Sequence, residues 1–262
     1  MTVLVTAATG SVGRLLVPLL AERGVRIRAF DRSRPTAPQL AGVDAVFLAC
    51  PNVGDQVAYE CGLIDSAARA GVTRLVKLSA RGAAVDSPVG FWDGHARIEQ
   101  HLAESGIEAV VLRPGFSMAN LLAQLEVVRN SGLLPLPGGD ARVAMIDPAD
   151  IAAAASIALT GEATAGSYEL TGPAAISFAE VAAGLTAAVG REVSYVDVPP
   201  AQAVAAMVAG GLPEVVAHQI GTVFAALRDG AQAETTDDLE RLTGRPGGGL
   251  AGFLRRTVGL AA

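Results

Sequence analysis

The sequence predicts an α/β fold: a Rossmann-type, doubly wound parallel sheet with helices on both faces and a smaller C-terminal lobe. Three observations lead there. Strand and helix patterns alternate through the first 115 or so residues. A turn of small residues, Thr6-Ala7-Ala8-Thr9-Gly10-Ser11-Val12-Gly13, joins the first strand to the first helix. The composition is 51% hydrophobic but only 4% aromatic, with thirty glycines. Apolar content carried by Ala, Val and Leu suits helices packed closely on a parallel sheet.

Val3–Thr6 is a short apolar run, the first strand. Ser11–Arg23 has Val12, Leu15, Leu16, Leu19 and Leu20 at helical spacing, and Gly24 ends it. Pro18 inside this helix removes one backbone hydrogen bond. Arg26–Phe30, Ala45–Ala49, Arg74–Leu78 and Ala109–Leu112 read as strands two to five. Val57–Ala70, closed by Gly71, and Gly94–Glu104, closed by Gly106, read as the helices between them. Beyond Arg113 the rhythm loosens. Leu121–Arg129 reads as a helix and Leu133–Asp140 as a Pro/Gly-rich loop. Asp147-Pro148-Ala149-Asp150 opens a helix, with an acidic cap and proline in the first turn. Ser177-Phe178-Ala179-Glu180 is a capping box. Ser167–Leu170 and Val193–Val198 are further strands. The expected division is a dinucleotide-binding domain over 1–155 and a substrate lobe over 156–262, to which part of 116–146 contributes.

Net charge is −6, which argues against a nucleic-acid partner. No apolar run is long enough to span a bilayer, and the N-terminus lacks the basic and apolar regions of a signal peptide. These features point to a cytoplasmic protein without membrane attachment. Cys50 and Cys61 read as reduced core thiols, and the three histidines have no metal-ligand spacing, so no metal is expected. The expected partner is a small-molecule substrate, and a homodimer is compatible with the sequence.

The small-residue turn follows a G-x-x-G-x-x-G spacing with Ala7 in the first glycine place. Such a turn lets backbone N–H groups and a helix N-terminus approach a pyrophosphate. Thr6, Ala8, Thr9, Gly10, Ser11, Val12 and Gly13 are therefore cofactor-binding candidates. Asp31, after the second strand, stands where an acid would bond the adenosine ribose of NAD. Arg32 and Arg34 follow at once and suit the 2′-phosphate of NADP. The two signals conflict. NADPH is favoured by Arg32, and NAD remains open.

Here the chain resembles the atypical short-chain dehydrogenase/reductases of the NmrA-like group. The turn TAATGSVG is similar to that group's TGATGxxG. His95-Ala96-Arg97-Ile98-Glu99, Leu112-Arg113-Pro114-Gly115-Phe116 with Asn120, Asp147–Ala152 and Tyr168–Pro173 carry the same likeness. The resemblance implies NADPH-dependent reduction of quinones, dyes or related molecules, or a redox regulator that binds cofactor without turnover. It implies that Gly10 and Gly13 bind phosphate, that Arg32 holds the 2′-phosphate, that Ser79 matches the short-chain dehydrogenase serine, and that Pro114 and Gly115 pack near the nicotinamide. No Tyr-x-x-x-Lys is present. In the isoflavone-reductase branch a lysine stands where this chain has His95.

Hydride transfer to a carbonyl or imine calls for a donor to the developing anion. His95 is the expected donor, supported by Glu99 one helical turn on and by Ser79. Phe91 and Trp92 read as one wall for a flat substrate, and Phe116, Met118 and Asn120 as the opposite wall. The expected activity is reduction of a small conjugated carbonyl, quinone or imine-like molecule by NAD(P)H. The alternatives are a dinucleotide-sensing regulator and a non-redox enzyme on the same fold.

Overall fold

A computed structural model describes residues 1–52 and 54–258. Strand and helix alternate as β1 (Thr2–Val5), α1 (Gly13–Glu22), β2 (Arg26–Ala29), α2 (Thr36–Leu40), β3 (Ala45–Leu48), α3 (Gln56–Arg69), β4 (Arg74–Leu78), α4 (Gly90–Glu104) and β5 (Glu108–Pro114). Next come a 3₁₀ turn over Met118–Gln124, α5 (Leu125–Ser131), β6 (Leu133–Leu136) and β7 (Arg142–Val143). The chain continues through α6 (Pro148–Leu159), β8 (Gly166–Leu170), β9 (Ile176–Ser177), α7 (Phe178–Val189) and β10 (Ser194–Asp197). It ends with α8 (Pro200–Ala209), α9 (Glu214–Arg228), α10 (Asp238–Thr243) and α11 (Leu250–Thr257).

The chain divides into two compact units. The first holds Met1–Pro114, Pro148–Leu170 and Asp237–Arg245; the second holds Gly115–Asp147, Thr171–Thr236 and Pro246–Ala262. A boundary at residue 155 is therefore wrong in kind. The backbone leaves the first unit after β5, returns for α6 and β8, and returns again for α10. β8 fails to stay with the later lobe because it pairs in register with β5, Val110 against Gly166 through Pro114 against Leu170.

In the first unit six parallel strands run in the order β2-β1-β3-β4-β5-β8. β1 and β3 are buried throughout, as strands covered on both faces must be. Leu63, Ile64 and Ala67 of α3 and Ile98 and Leu102 of α4 pack with Leu4, Val46, Leu48 and Leu75 on one face. α6 packs against α1 and against β3, β4 and β5. Its run of alanines buries Ala152, Ala154, Ala155 and Ala158, which lets that helix approach the sheet closely.

The second unit has its own core, in which Phe178, Val181 and Leu185 of α7 pack with Leu134, Phe224 and Phe253. The predicted capping box forms: Ser177 Oγ accepts from Glu180 N at 3.1 Å, and Glu180 Oε2 accepts from Ser177 N at 2.6 Å. The expected loop over 133–140 is instead partly a strand, β6, paired in parallel with β10. Pro135 misleads the reading because a two-stranded sheet leaves one edge of each strand open, where a missing N–H costs no ladder bond. The expected helix over 121–129 begins as the tighter 3₁₀ turn, with Ser117 Oγ accepting from Ala119 N at its start.

Candidate functional site

The turn after β1 is built for close approach. Ala7 takes φ 46°, a left-handed conformation usual for glycine and strained for a residue with a Cβ by about 1–2 kcal/mol. Its carbonyl accepts from Gly10 N at 2.9 Å. A Cβ on Gly13 would stand 2.2 Å from Ala7 O and 2.8 Å from Ala8 Cα; one on Gly10 would stand 3.1 Å from Ala7 O. Gly13 is thus demanded by the turn's own backbone, before any ligand is considered. α1 starts at Gly13, with Arg14 N donating to Gly10 O at 3.1 Å and the N–H groups of Leu15 and Leu16 donating to Val12 O at 3.0 and 2.9 Å. A glycine-lined turn running into a helix start suits the pyrophosphate of a dinucleotide.

Not every predicted contact residue faces outward. Thr9 and Ser11 are exposed, while Ala8 and Gly10 are half-buried. Thr6 is buried, its hydroxyl 2.7 Å from Ala49 O and accepting from Ala49 N at 2.7 Å. Its side chain ties the end of β1 to β3, and Val12 belongs to the core. Both side chains are buried, so the approach to a pyrophosphate expected of these positions is through the backbone.

After β2, Asp31 Oδ1 accepts from Ser33 N at 2.9 Å and Ser33 Oγ at 2.7 Å. These bonds hold its carboxyl below the usual range. The Arg32 guanidinium lies 3.9 Å above the centre of the Tyr59 ring, and its NH2 donates to Asp55 Oδ2 at 3.1 Å. Tyr59, pushed up to about 12 by burial, stays a neutral phenol. Sequence reading placed Asp31 and Arg32 but missed Tyr59 and Asp55. Their one signal is the i, i+4 spacing at the start of α3.

The expected triad of His95, Glu99 and Ser79 separates into two groups. Glu99, on α4, is gripped by Arg113 of β5, whose Nε donates to Oε1 at 3.1 Å and whose NH2 donates to Oε2. The Ser79 hydroxyl, at the end of β4, donates to Glu99 Oε1. Arg81 pairs in turn with Glu169 of β8 at 3.1 Å. Glu99 therefore does not orient His95, because a two-pronged guanidinium from the neighbouring strand outcompetes an imidazole one turn away. Ser79 has its proton committed to Glu99, which differs from the role of second donor.

His95 itself is 4% exposed, with Nδ1 3.2 Å from Lys77 Nζ. Lys77, midway along β4, and Glu60, on α3, are both fully buried, with Nζ 2.8 Å from Oε2. That pair lies off the hydrogen-bond direction and is held by charge. Nζ also donates to Leu78 O, and Gln56 Nε2 donates to Glu60 Oε1 at 3.1 Å. Burial, then the Lys77 charge, pushes the His95 imidazole well below its ordinary value. The expectation of an imidazole titrating near neutrality is corrected: this ring is uncharged at working pH. Sequence reading missed Lys77 and Glu60. The available signal was a lysine inside the apolar strand Leu75-Val76-Lys77-Leu78.

The proposed walls are also sorted. Phe91 and Trp92 lie in the first turn of α4, which begins four residues earlier than expected. Trp92 is buried and lies where a Cβ on Gly82, at φ 93°, would meet its ring at 2.8 Å. It anchors the loop after β4; Phe91 is half-buried. In the second unit Met118 is 1% exposed and part of the core, which removes it from any surface wall. Asn120 is exposed. Phe116 is half-buried and packs edge-on against Phe178 and Phe224, at 6.2 and 6.0 Å between ring centres. Pro114 ends β5, and Gly115 is buried.

Comparison with known proteins agrees with this architecture. The profile of the NmrA-like family matches residues 37–245. An NAD(P)H azoreductase of Xenophilus azovorans is 38% identical over 97% of this chain and 96% of its own length. Quinone oxidoreductase 2 of Escherichia coli is 30% identical over 87% of this chain and 80% of its own. The crystal structure of an NADPH-dependent quinone oxidoreductase from Escherichia coli, complexed with NADPH, superposes with TM-score 0.85 at 27% identity. It covers 97% of this chain and 99% of that one.

Proposed function

The chain belongs to the NmrA-like family, and from that premise we propose that it is an NAD(P)H-dependent reductase of quinone-like and related conjugated acceptors. The observation that carries this reading is the tight glycine turn between β1 and α1, together with Arg32 held over the Tyr59 ring after β2. The azo and quinone activities named for the relatives support an acceptor that is flat, conjugated and electron-poor. The cofactor supplies a hydride from its nicotinamide ring to that acceptor.

The chain's own residues divide the remaining work. The Thr9–Gly13 backbone and the α1 N-terminus take the pyrophosphate. Arg32, presented on the Tyr59 ring, takes the 2′-phosphate of NADPH, and Asp31 offers an acceptor to the ribose of NADH. Presence of both groups supports use of either cofactor, with NADPH preferred. Pro114 and Gly115 close the nicotinamide end. The Ser79–Glu99–Arg113 cluster stiffens the ends of β4 and β5, where an α/β sheet binds ligands. His95 assists the acceptor as charge develops on it, and Phe91, half-buried in the first turn of α4, offers aromatic surface to its ring. Among the described residues no helix is long and apolar enough to cross a membrane. With net charge −6, the reading is a cytoplasmic enzyme of small molecules without nucleic-acid partners.

Incubation with NADPH and a panel of quinones and azo dyes tests this. Oxidation of NADPH that depends on acceptor concentration is expected. Tight NADPH binding with no oxidation across the panel would identify a sensor instead.

A further inference from the structure

Lys77 has no place in the family resemblance, yet it is a fully buried ammonium beside the one imidazole the reading above employs. An ammonium has three donors and no acceptor. Here Nζ donates to Leu78 O and stands against His95 Nδ1, with Glu60 Oε2 beside it as the ion-pair partner. The His95 contact, at 3.2 Å, is favourable only if Nδ1 carries a lone pair, which leaves the ring's single proton on Nε2. Protonating both nitrogens would set two cations against each other in a buried site. Glu60 pairs with Lys77, and Gln56 donates to Glu60. Glu99, the acid on His95's own helix, is held away by Arg113 and Ser79.

We propose that Lys77 is a positioning residue that locks His95 as the neutral Nε2–H tautomer, making it an uncharged hydrogen-bond donor to the acceptor rather than an imidazolium acid. This rests on the reductase reading for the identity of the acceptor, but the tautomer lock stands on geometry alone. In the reaction, hydride adds to the acceptor and the charge that forms on oxygen or nitrogen is stabilised by Nε2–H. The proton that completes the product comes from water, so His95 need not be recharged between turnovers. Such fixed donors act by being aimed before the charge appears.

The test is long-range ¹⁵N–¹H spectroscopy of protein labelled at histidine, with His95 assigned by its disappearance in His95→Gln. The expected result is an unprotonated Nδ1 and a protonated Nε2 that do not change between about pH 5.5 and 8. In Lys77→Met/Glu60→Gln, which removes the ammonium without stranding its carboxylate, His95 should mix tautomers or titrate. The turnover number kcat should fall by about tenfold with NADPH affinity unchanged. A protonated Nδ1, an imidazolium forming in this range, or an unaltered tautomer in the double variant would overturn the proposal. If the double variant does not fold, the wild-type spectrum alone decides. Absence of turnover in the wild type would instead sink the reductase reading and leave the spectroscopic result intact.

Discussion

Replacing Gly13 by alanine probes the phosphate turn with one methyl group. The added Cβ would lie 2.2 Å from Ala7 O, about 0.8 Å inside the closest approach that Cβ atoms tolerate, and 2.8 Å from Ala8 Cα. Both obstacles are backbone, so no side chain can swing aside. Either the turn opens, losing the 2.9 Å bond from Gly10 N to Ala7 O, or the start of α1 shifts outward. Overpacking of this kind costs about 1–3 kcal/mol. The movement also displaces the N–H groups meant for phosphate, so binding should weaken beyond the loss of stability. Urea unfolding with and without NADPH separates the two effects. At a hundred times Kd the wild type should gain about 2.7 kcal/mol from the ligand. Gly13→Ala should be less stable by the stated amount and gain almost nothing from NADPH. Gly10→Ala, with its Cβ 3.1 Å from Ala7 O, should lose less of both. A Gly13→Ala protein of wild-type stability with the full ligand gain would refute the reasoning.

Other consequences can be checked with similar means. His95 folds with its pKa depressed, so the unfolded chain binds a proton that the native state refuses as pH falls below the usual imidazole value. Its contribution is complete above about pH 6.5 and declines below it by about 1.4 kcal/mol per unit. The stability of His95→Gln should lack that slope, and equal slopes in the two proteins would contradict a neutral buried ring. Arg32→Ala should weaken NADPH far more than NADH in calorimetry; equal losses would remove Arg32 from the 2′-phosphate. Gly138→Ala would drive a Cβ to 2.3 Å from the buried Phe178 ring and should cost about 1–3 kcal/mol in urea. No change in the denaturation midpoint would mean that the second core repacks freely.

The sheet was legible in the sequence because its strands are short apolar runs punctuated by glycine. β4 matches residue for residue and β3 to within one. The capping box at Ser177 and the helix opening at Pro148 were legible because caps are local chemistry. What failed is non-local. Glu99 looked like a partner of His95 on spacing along α4, but Arg113 arrives from β5, fourteen residues on. Lys77 stands out inside an apolar strand, but its partner Glu60 comes from α3 and is not legible from the strand alone. β6 was hidden by Pro135, since its partner β10 lies some sixty residues away. The boundary at 155 failed because α6 and α10 rejoin a sheet from which the chain had departed. The cofactor turn was recognisable, though Ala7 in a glycine's conformation was not predictable from type alone.

The central claim is direct reduction of an acceptor by the dinucleotide this chain binds. Its most direct test is the primary kinetic isotope effect on single-turnover reduction of a quinone, using NADPH carrying deuterium at the transferred position of nicotinamide C4, with no flavin added. The account predicts turnover under these conditions and slower reduction with the deuterated cofactor. Turnover that appears only when flavin is supplied, or stoichiometric binding with no reduction of any acceptor, would contradict it.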